Sequence, residues 1–285
     1  MDDTEYSNML LRVEQLREHL NDARWCVIDV RHDLFDAEAG IRLYRDGHIP
    51  GAVFADINTQ LSGTKTGVNG RHPMPSRDDL IEAFRQWGIN NDTQIVPYDA
   101  QGGQYASRLW WLARWLGHRR VALLDGGWAK WSSETGLISR DVPIRPRGNF
   151  TASDSTMPLV NVQQVLQRLE DSNRTLLDAR TPERYRGEEE PIDPVAGHIP
   201  GARNRPWQQN LNSDQTFKSP RVLRAEFDAL LGEQAPGQVA HQCGSGVTAC
   251  HNVFAMELAG LPGSALYGGS WSEWIADPAR PVATG

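Results

Sequence analysis

Short apolar runs and stretches of helical periodicity alternate along the whole chain. Trp25-Cys-Val-Ile-Asp-Val-Arg31 and Thr175-Leu-Leu-Asp-Ala-Arg180 are brief aliphatic runs that each end in Asp-x-Arg. The segments opening at Ile95 and Gln238 are two more, each leading into a glycine-containing loop. Asp78–Trp87, Tyr105–Leu116, Asn161–Leu169 and Arg221–Leu231 read as helices. Strands too short and too apolar to face water, interleaved with helices, predict an α/β protein with central, mainly parallel sheets covered on both faces. In such architectures ligands sit where strand C-termini meet helix N-termini.

The pattern also repeats. Tyr44-Arg-Asp-Gly-His-Ile-Pro-Gly-Ala52 follows the first Asp-x-Arg, and Ala196-Gly-His-Ile-Pro-Gly-Ala202 follows the second. Asp29 and Asp178 are 149 positions apart, and His48 and His198 are 150 apart. Further on, Ile95-Val-Pro-Tyr-Asp-Ala-Gln-Gly-Gly103 matches Gln238-Val-Ala-His-Gln-Cys-Gly-Ser-Gly246, placing Ala100 against Cys243. Each half closes alike, Asp125-Gly-Gly-Trp-Ala-Lys-Trp131 against Gly268-Gly-Ser-Trp-Ser-Glu-Trp274. Matching stations in one order indicate a duplicated domain. Arg140-Asp-Val-Pro-Ile-Arg-Pro-Arg-Gly-Asn149 lacks periodicity and reads as the linker. The expected division is therefore 1–139, a linker at 140–152, and 153–285. The His-Ile-Pro-Gly-Ala stations read as pinned turns with the imidazole bonded to backbone, because both halves carry them and only one half carries a loop cysteine. The Trp-containing closing stations read as core.

Composition narrows the class. The 285 residues carry a net charge of −7, which disfavours a general nucleic-acid or anionic-membrane surface. No apolar run approaches bilayer length, and Met1-Asp-Asp-Thr-Glu lacks the features of a secretory signal. Cysteines at 26, 243 and 250 make neither a disulfide framework nor a zinc spacing, so the expectation is a reduced, cytoplasmic protein.

The chemistry concentrates in Gln238-Val-Ala-His-Gln-Cys-Gly-Ser-Gly-Val-Thr-Ala-Cys250. It reads as a buried strand, a cysteine, a tight loop, and a helix starting near Val247. Gly244 and Gly246 free the backbone so that successive N–H groups, with those of Val247 and Thr248, can converge on one point. That point lies at a helix N-terminus, which favours negative charge. A thiolate placed there is stabilised, so Cys243 is the candidate nucleophile. Ser245 is placed to donate a hydrogen bond to a ligand, or simply to hold the turn. Cys250, two helical turns on, and Cys26, inside a strand, read as core, with a resolving-thiol role for Cys250 the weaker reading.

These residues together resemble the tandem-domain rhodanese family of sulfurtransferases, and the Cys-Gly-Ser-Gly-Val-Thr loop resembles its mercaptopyruvate branch. The resemblance spans essentially the whole chain. It implies two rhodanese domains, an inactive first one with Ala100 at the cysteine position, and an active second one with the pocket between them. It implies a Cys243 persulfide formed from a small anionic donor, thiosulfate or 3-mercaptopyruvate. The sulfur then passes to cyanide or to a thiol, a thioredoxin-like protein being one such acceptor, and the implied cycle needs no metal or organic cofactor. It assigns donor contact to Arg184, and suits Arg180 either to the donor or to a salt bridge with Asp178. Within Asn69-Gly-Arg-His-Pro-Met-Pro75, it makes His72 a candidate proton shuttle. Two departures stand out. Asn58 replaces an acid found in some mercaptopyruvate-type members, with Asp56 nearby. The stretch Glu188-Glu-Glu-Pro-Ile-Asp193 is acidic where those members carry a second arginine.

Other readings are weaker. A Cys-x5-Arg phosphatase needs an arginine where Ala249 stands. A Cys-His hydrolase built on His241 lacks an orienting partner. A persulfide carrier that docks to a partner without turning over small donors is the non-enzymatic alternative.

Overall fold

The computed structural model describes residues 9–169, 171 and 173–285, so the N-terminal residues read for a signal lie outside it. The chain forms two compact units. The first comprises residues up to Gly63, Pro75–Thr156 and Asn212–Phe217; the second comprises Thr64–Met74, Met157–Leu211 and Lys218–Gly285. Each unit thus takes one short segment from the other half of the sequence.

In the first unit the strands are β1 (Leu10–Leu11), β2 (Trp25–Asp29), β3 (Val53–Phe54), β4 (Gln94–Tyr98) and β5 (Leu123–Leu124). The helices are α1 (Val13–Glu18), α2 (Ala39–Asp46), α3 (Arg77–Gln86), α4 (Ala106–Trp115) and α5 (Gly127–Thr135). β3–β2–β4 form one parallel sheet and β1–β5 a second, and a parallel bridge from Ile95 to Val121 links β4 toward β5. In the second unit β6 (Leu159–Val160), β7 (Thr175–Asp178), β8 (Arg203–Asn204), β9 (Val239–Gln242) and β10 (Ala265–Tyr267) form one parallel sheet in the order β6-β10-β9-β7-β8. Its helices are α6 (Val162–Arg168), α7 (Pro182–Arg186), α8 (Pro220–Leu231), α9 (Thr248–Leu258) and α10 (Ser270–Trp274). Replacing each second-unit strand by its counterpart gives β1-β5-β4-β2-β3, the neighbour order of the first unit. The sequence repeat is a repeat of topology.

Local chemistry explains where the elements stop and start. Ser76, Asn161 and Ser219 accept from the N–H groups of Asp79, Gln164 and Val222, satisfying donors that the first helical turn leaves open. β4 is buried from Ile95 onward and β9 throughout, so neither alternates buried and exposed positions, and β9 carries His241 and Gln242 into the core beside Val239 and Ala240. In the second unit Val165, Leu176, Ala240, Trp271 and Trp274 pack in one core cluster. In the first, Leu16, Val27, Val96 and Trp131 do the same. The residues from Arg140 to Asn149 carry no regular element. Their end is tied to the first unit by Gly148 N–H donating to Arg85 O at 2.8 Å.

Both repeated motifs of each half are structural pivots. Arg180 donates to Asp178 and, at 2.7 Å, to the carbonyl of Gly197, with its guanidinium 4.7 Å over Trp271. Arg31 does the same with Asp29, the Gly47 carbonyl at 2.7 Å and Trp128 at 4.3 Å. His48 Nδ1 lies 2.7 Å from Tyr44 O, and its ring stacks on Tyr44 at 3.9 Å. His198 Nδ1 lies 2.8 Å from Tyr185 O, and stacks on Tyr185 at 3.8 Å. This geometry supports the pinned-turn reading for both histidines.

Candidate active site

Cys243 follows the last residue of β9 and is buried, with 2 % of its surface exposed. Its backbone is clamped from α10. Ser270 Oγ accepts from Cys243 N–H at 3.1 Å, Cys243 O accepts from Trp271 N–H at 3.0 Å, and Gly244 O accepts from Ser272 N–H at 2.9 Å. Ser270 holds this position in the left-handed region at φ 53°, unusual for a residue with a side chain. The sulfur turns into the loop and accepts from Gly246 N–H at 3.1 Å. Gly246 must be glycine: its φ is +79°, and a Cβ there would lie 2.2 Å from the Gly268 carbonyl.

Among the described residues, no protein acceptor takes the N–H groups of Gly244, Ser245, Val247 or Thr248. A loop of unclaimed amides at the start of α9 is a cradle for negative charge. The first unit shows the same loop already filled. Asp99 Oδ1 accepts from Gln101 and Gly103 N–H, both at 2.9 Å, and Oδ2 from Tyr105 at 2.7 Å and Ala106 at 2.9 Å. Burial pushes the Asp99 carboxyl up from its ordinary range, and these four amides pull against it.

The backbone also corrects the alignment of the two loops. Tyr98 O accepts from Val30 N–H as Gln242 O does from Ala179 N–H, and Asp99 O accepts from Trp128 N–H as Cys243 O does from Trp271 N–H. Asp99, not Ala100, therefore stands at the position of Cys243. The first-unit loop has one extra residue before the glycine that follows, Gly103 against Gly246. Ala100 itself is exposed.

His72 comes from the Thr64–Met74 segment and is buried, with Nδ1 2.7 Å from Ser245 Oγ. The two side chains named from the sequence as proton shuttle and hydrogen-bond donor are thus in direct contact. Asp56 accepts from the N–H groups of Asn58 and Thr59 and caps its own turn in the first unit.

Arg184, on α7, donates through Nε and Nη2 to Glu190 and through Nη2 to Asp193 at 3.0 Å. Glu190 also receives Arg180 Nη1 at 3.4 Å and the N–H groups of Ile192 and Asp193. The acidic stretch that looked like a missing arginine is thus a brace for arginines. Arg180 directs its donors to Asp178, Glu190 and the Gly197 carbonyl, the salt-bridge arrangement that was one of its two expected roles. Burial works against its charge, and the neighbouring Asp178, with Glu190 and Cys243, outweighs that and raises the Arg180 pKa above its ordinary value. Sequence reasoning missed Arg71. Its Nη1 pairs with Asp193, and its Nη2 reaches within 2.9 Å of where a Gly244 Cβ would stand. The only signal was its place beside His72.

The remaining cysteines are occupied elsewhere. Cys250 Sγ donates to Gly246 O at 3.3 Å, tying α9 to the loop from inside the core. Burial pushes the Cys26 thiol up to about 11. Among the described residues no group of three or more His, Cys, Asp or Glu side chains is arranged to hold a metal, and no helix is long and apolar enough to cross a membrane.

His241 is fully buried, and neither ring nitrogen has a hydrogen-bond partner. Burial alone pushes its pKa down from 6.5 to about 3. Between those values the unfolded chain binds a proton that the folded chain refuses, so stability falls as the pH drops through that window. The expected slope from this group is about 1.4 kcal/mol per pH unit. Urea titrations at pH 7 and 5 should show His241→Phe losing less stability on acidification than the parent. Equal losses would refute the assignment.

A buried cysteine at a strand end, its sulfur inside an amide cradle beside a His–Ser pair and braced arginines, defines a thiol-based transferase site. The sequence profile of the rhodanese-like domain matches residues 12–134 and 161–277. The chain is 46 % identical over 282 residues to a Pseudomonas aeruginosa protein named probable 3-mercaptopyruvate sulfurtransferase, covering 98 % of this chain and 99 % of that one. It is 37 % identical over 250 residues to the thiosulfate sulfurtransferase of Bos taurus, covering 85 % and 82 % respectively. The crystal structure of SseA from Escherichia coli, described as a 3-mercaptopyruvate sulfotransferase, superimposes with a TM-score of 0.80 at 30 % identity, covering 93 % of this chain and 99 % of that one. The chain belongs to the rhodanese family, as a tandem sulfurtransferase with two such domains.

Proposed function

We propose that this sulfurtransferase takes sulfur from 3-mercaptopyruvate onto Cys243, with thiosulfate as a poorer donor, and passes it to a thiol or to cyanide. The observation that carries the reading is the Cys243 loop: Gly246 N–H reaches the sulfur at 3.1 Å, and among the described residues the N–H groups of Gly244, Ser245, Val247 and Thr248 have no protein acceptor. The thiolate attacks the donor sulfur, forming an S–S bond as the C–S bond breaks. The bonding pair leaves on carbon as the enolate of pyruvate. The proton that arrived on the donor thiol moves to that carbon, leaving pyruvate and a Cys243 persulfide anion in the amide cradle. Ser245, bonded to His72, is placed to relay that proton. An acceptor thiolate or cyanide then attacks the outer sulfur, breaks the S–S bond and restores the Cys243 thiolate.

Thiosulfate transfers its outer sulfur with sulfite as leaving group, and sulfite needs no proton. The His72–Ser245 contact therefore supports mercaptopyruvate as the better donor. The full-length likeness to relatives named for turnover of small donors leaves the carrier alternative with less support. A thiol acceptor and a free persulfide suit a reduced cytoplasm, which is the location we propose.

Rates of sulfur transfer to cyanide from the two donors, measured on one preparation, test this. The expected kcat/KM favours 3-mercaptopyruvate by about tenfold or more. Ser245→Ala should cost about 10- to 100-fold in kcat with that donor and little with thiosulfate. A preference for thiosulfate, or equal losses with both donors, would overturn the assignment.

A further inference from the structure

We infer that Arg71 is a specificity-determining contact for the donor carboxylate, paired with Arg184 across Gly244 and held there by Asp193. The inference rests on the donor reading above and adds to it a residue from the opposite half of the sequence. Asp193 bridges the two arginines, with Oδ1 taking Arg71 Nη1 and Oδ2 taking Arg184 Nη2 at 3.0 Å. Its side chain is 3 % exposed, so both guanidinium groups are anchored on their inner side by one buried carboxylate.

Their other nitrogens face the nucleophile's loop. Arg71 Nη2 lies 2.9 Å from the point a Cβ on Gly244 would occupy, and Arg184 Nη2 and Nη1 lie 3.4 and 3.5 Å from it. Gly244 is the residue after Cys243, so a ligand with its sulfur on Cys243 can rest its anionic end over this glycine. Arg71 Nε is buried and makes no hydrogen bond, and among the described residues neither Arg71 Nη2 nor Arg184 Nη1 has a protein acceptor. Two planar forks with open donors at one point suit the two oxygens of a carboxylate. Two like charges are stable side by side because Asp193 lies between them.

Arg71 is also held from behind. Its N–H donates to Ser272 Oγ at 2.9 Å, next to the residue whose N–H clamps Cys243. Gly70, at φ +90°, lets the segment approach until a Cβ would stand 2.8 Å from the Gly269 carbonyl. Arg71 is thus on a segment fixed to the cysteine's own support, and its side chain needs no rearrangement to meet a donor.

The test compares 3-mercaptopyruvate with mercaptoacetone, which offers the same thiol and ketone without the carboxylate. Arg71→Gln should lower kcat/KM for 3-mercaptopyruvate by about 10- to 100-fold, mostly through KM, and change mercaptoacetone turnover by less than about threefold. Arg71→Lys should recover part of the loss. An equal loss with both donors would make Arg71 a mere support for the His72 segment, and no loss with 3-mercaptopyruvate would remove it from the site. Pyruvate binding, measured by calorimetry on the Cys243→Ser protein with and without Arg71→Gln, gives a readout independent of turnover. Affinity should weaken at least about tenfold, and unchanged affinity overturns the inference. If the parent enzyme transfers sulfur from neither donor, the donor reading fails while the pyruvate measurement still decides the role of Arg71.

Discussion

Cys243→Ala should abolish sulfur transfer, with a loss of about 10⁴-fold or more and no mass gain of one sulfur on incubation with donor. No other thiol can stand in. Cys26 is buried in a strand of the first unit, and Cys250 is buried on α9 with its thiol given to Gly246 O. The more searching part of the experiment adds Ala100→Cys to the Cys243→Ala protein. Ala100 is the residue that sequence matching sets against Cys243, so a thiol there tests whether that match recreates the site. The structure predicts no recovery, for two reasons. The side chain at 100 points outward, and the amides that would have to stabilise a thiolate already hold the Asp99 carboxylate. Residual activity in Cys243→Ala above about one part in a thousand would sink the nucleophile assignment. Turnover in the double variant would sink the expectation that the first unit is inactive.

Arg180→Leu should destabilise the second unit by about 3–5 kcal/mol, because it leaves the Asp178 carboxylate buried without its counter-charge. Asp178 is completely buried, and Arg180 makes the only ion pair it has among the described residues. The same change leaves Glu190 shared by one arginine fewer, so Arg184 should sit less firmly and KM should rise. Combining Arg180→Leu with Asp178→Leu removes both charges, and should return much of the lost stability, since an apolar pair of similar bulk often replaces a buried ion pair at little cost. Thermal unfolding followed by tryptophan fluorescence reads both effects. A single variant as stable as the parent would show that Arg180 is not the structural pivot. The matching pair Asp29–Arg31 serves as the control. It shares the carboxylate, glycine carbonyl and tryptophan partners but has Tyr98 Oη–H on Asp29 in place of a second acid on the arginine, in the unit that lacks Cys243, so Arg31→Leu should cost somewhat less stability and leave KM unchanged.

Much of this protein could be read directly from its residues. The duplication, the helices at Asp78–Trp87 and Tyr105–Leu116, and the turn formed by each His-Ile-Pro-Gly-Ala station depend on local periodicity and on Pro and Gly dihedral preferences. Those properties belong to neighbouring residues, so they survive in a linear text. Cys243 with its glycines was visible for the same reason, since a strand, a loop and a helix start are contiguous.

The rest depends on residues far apart in the chain. His72 meets Ser245 across 173 positions, and Arg71 meets Asp193 across 122. The acidic stretch Glu188–Asp193 read as a missing arginine because its partners could not be seen. In place it is what holds Arg71, Arg180 and Arg184. The match of Ala100 to Cys243 failed by a single residue, because residue types align without regard to an extra position in a loop. Only the backbone hydrogen bonds to Trp128 and Trp271 define which residue occupies the equivalent place. The sequence by itself determined the repeat and the order of elements and singled out Cys243 as the candidate nucleophile, all carried by short-range covalent and dihedral constraints. The tertiary structure decided which charges stand beside the Cys243 loop and why the amides of the matching first-unit loop are taken by Asp99, because burial and electrostatic pairing act through space between segments that packing alone brings together.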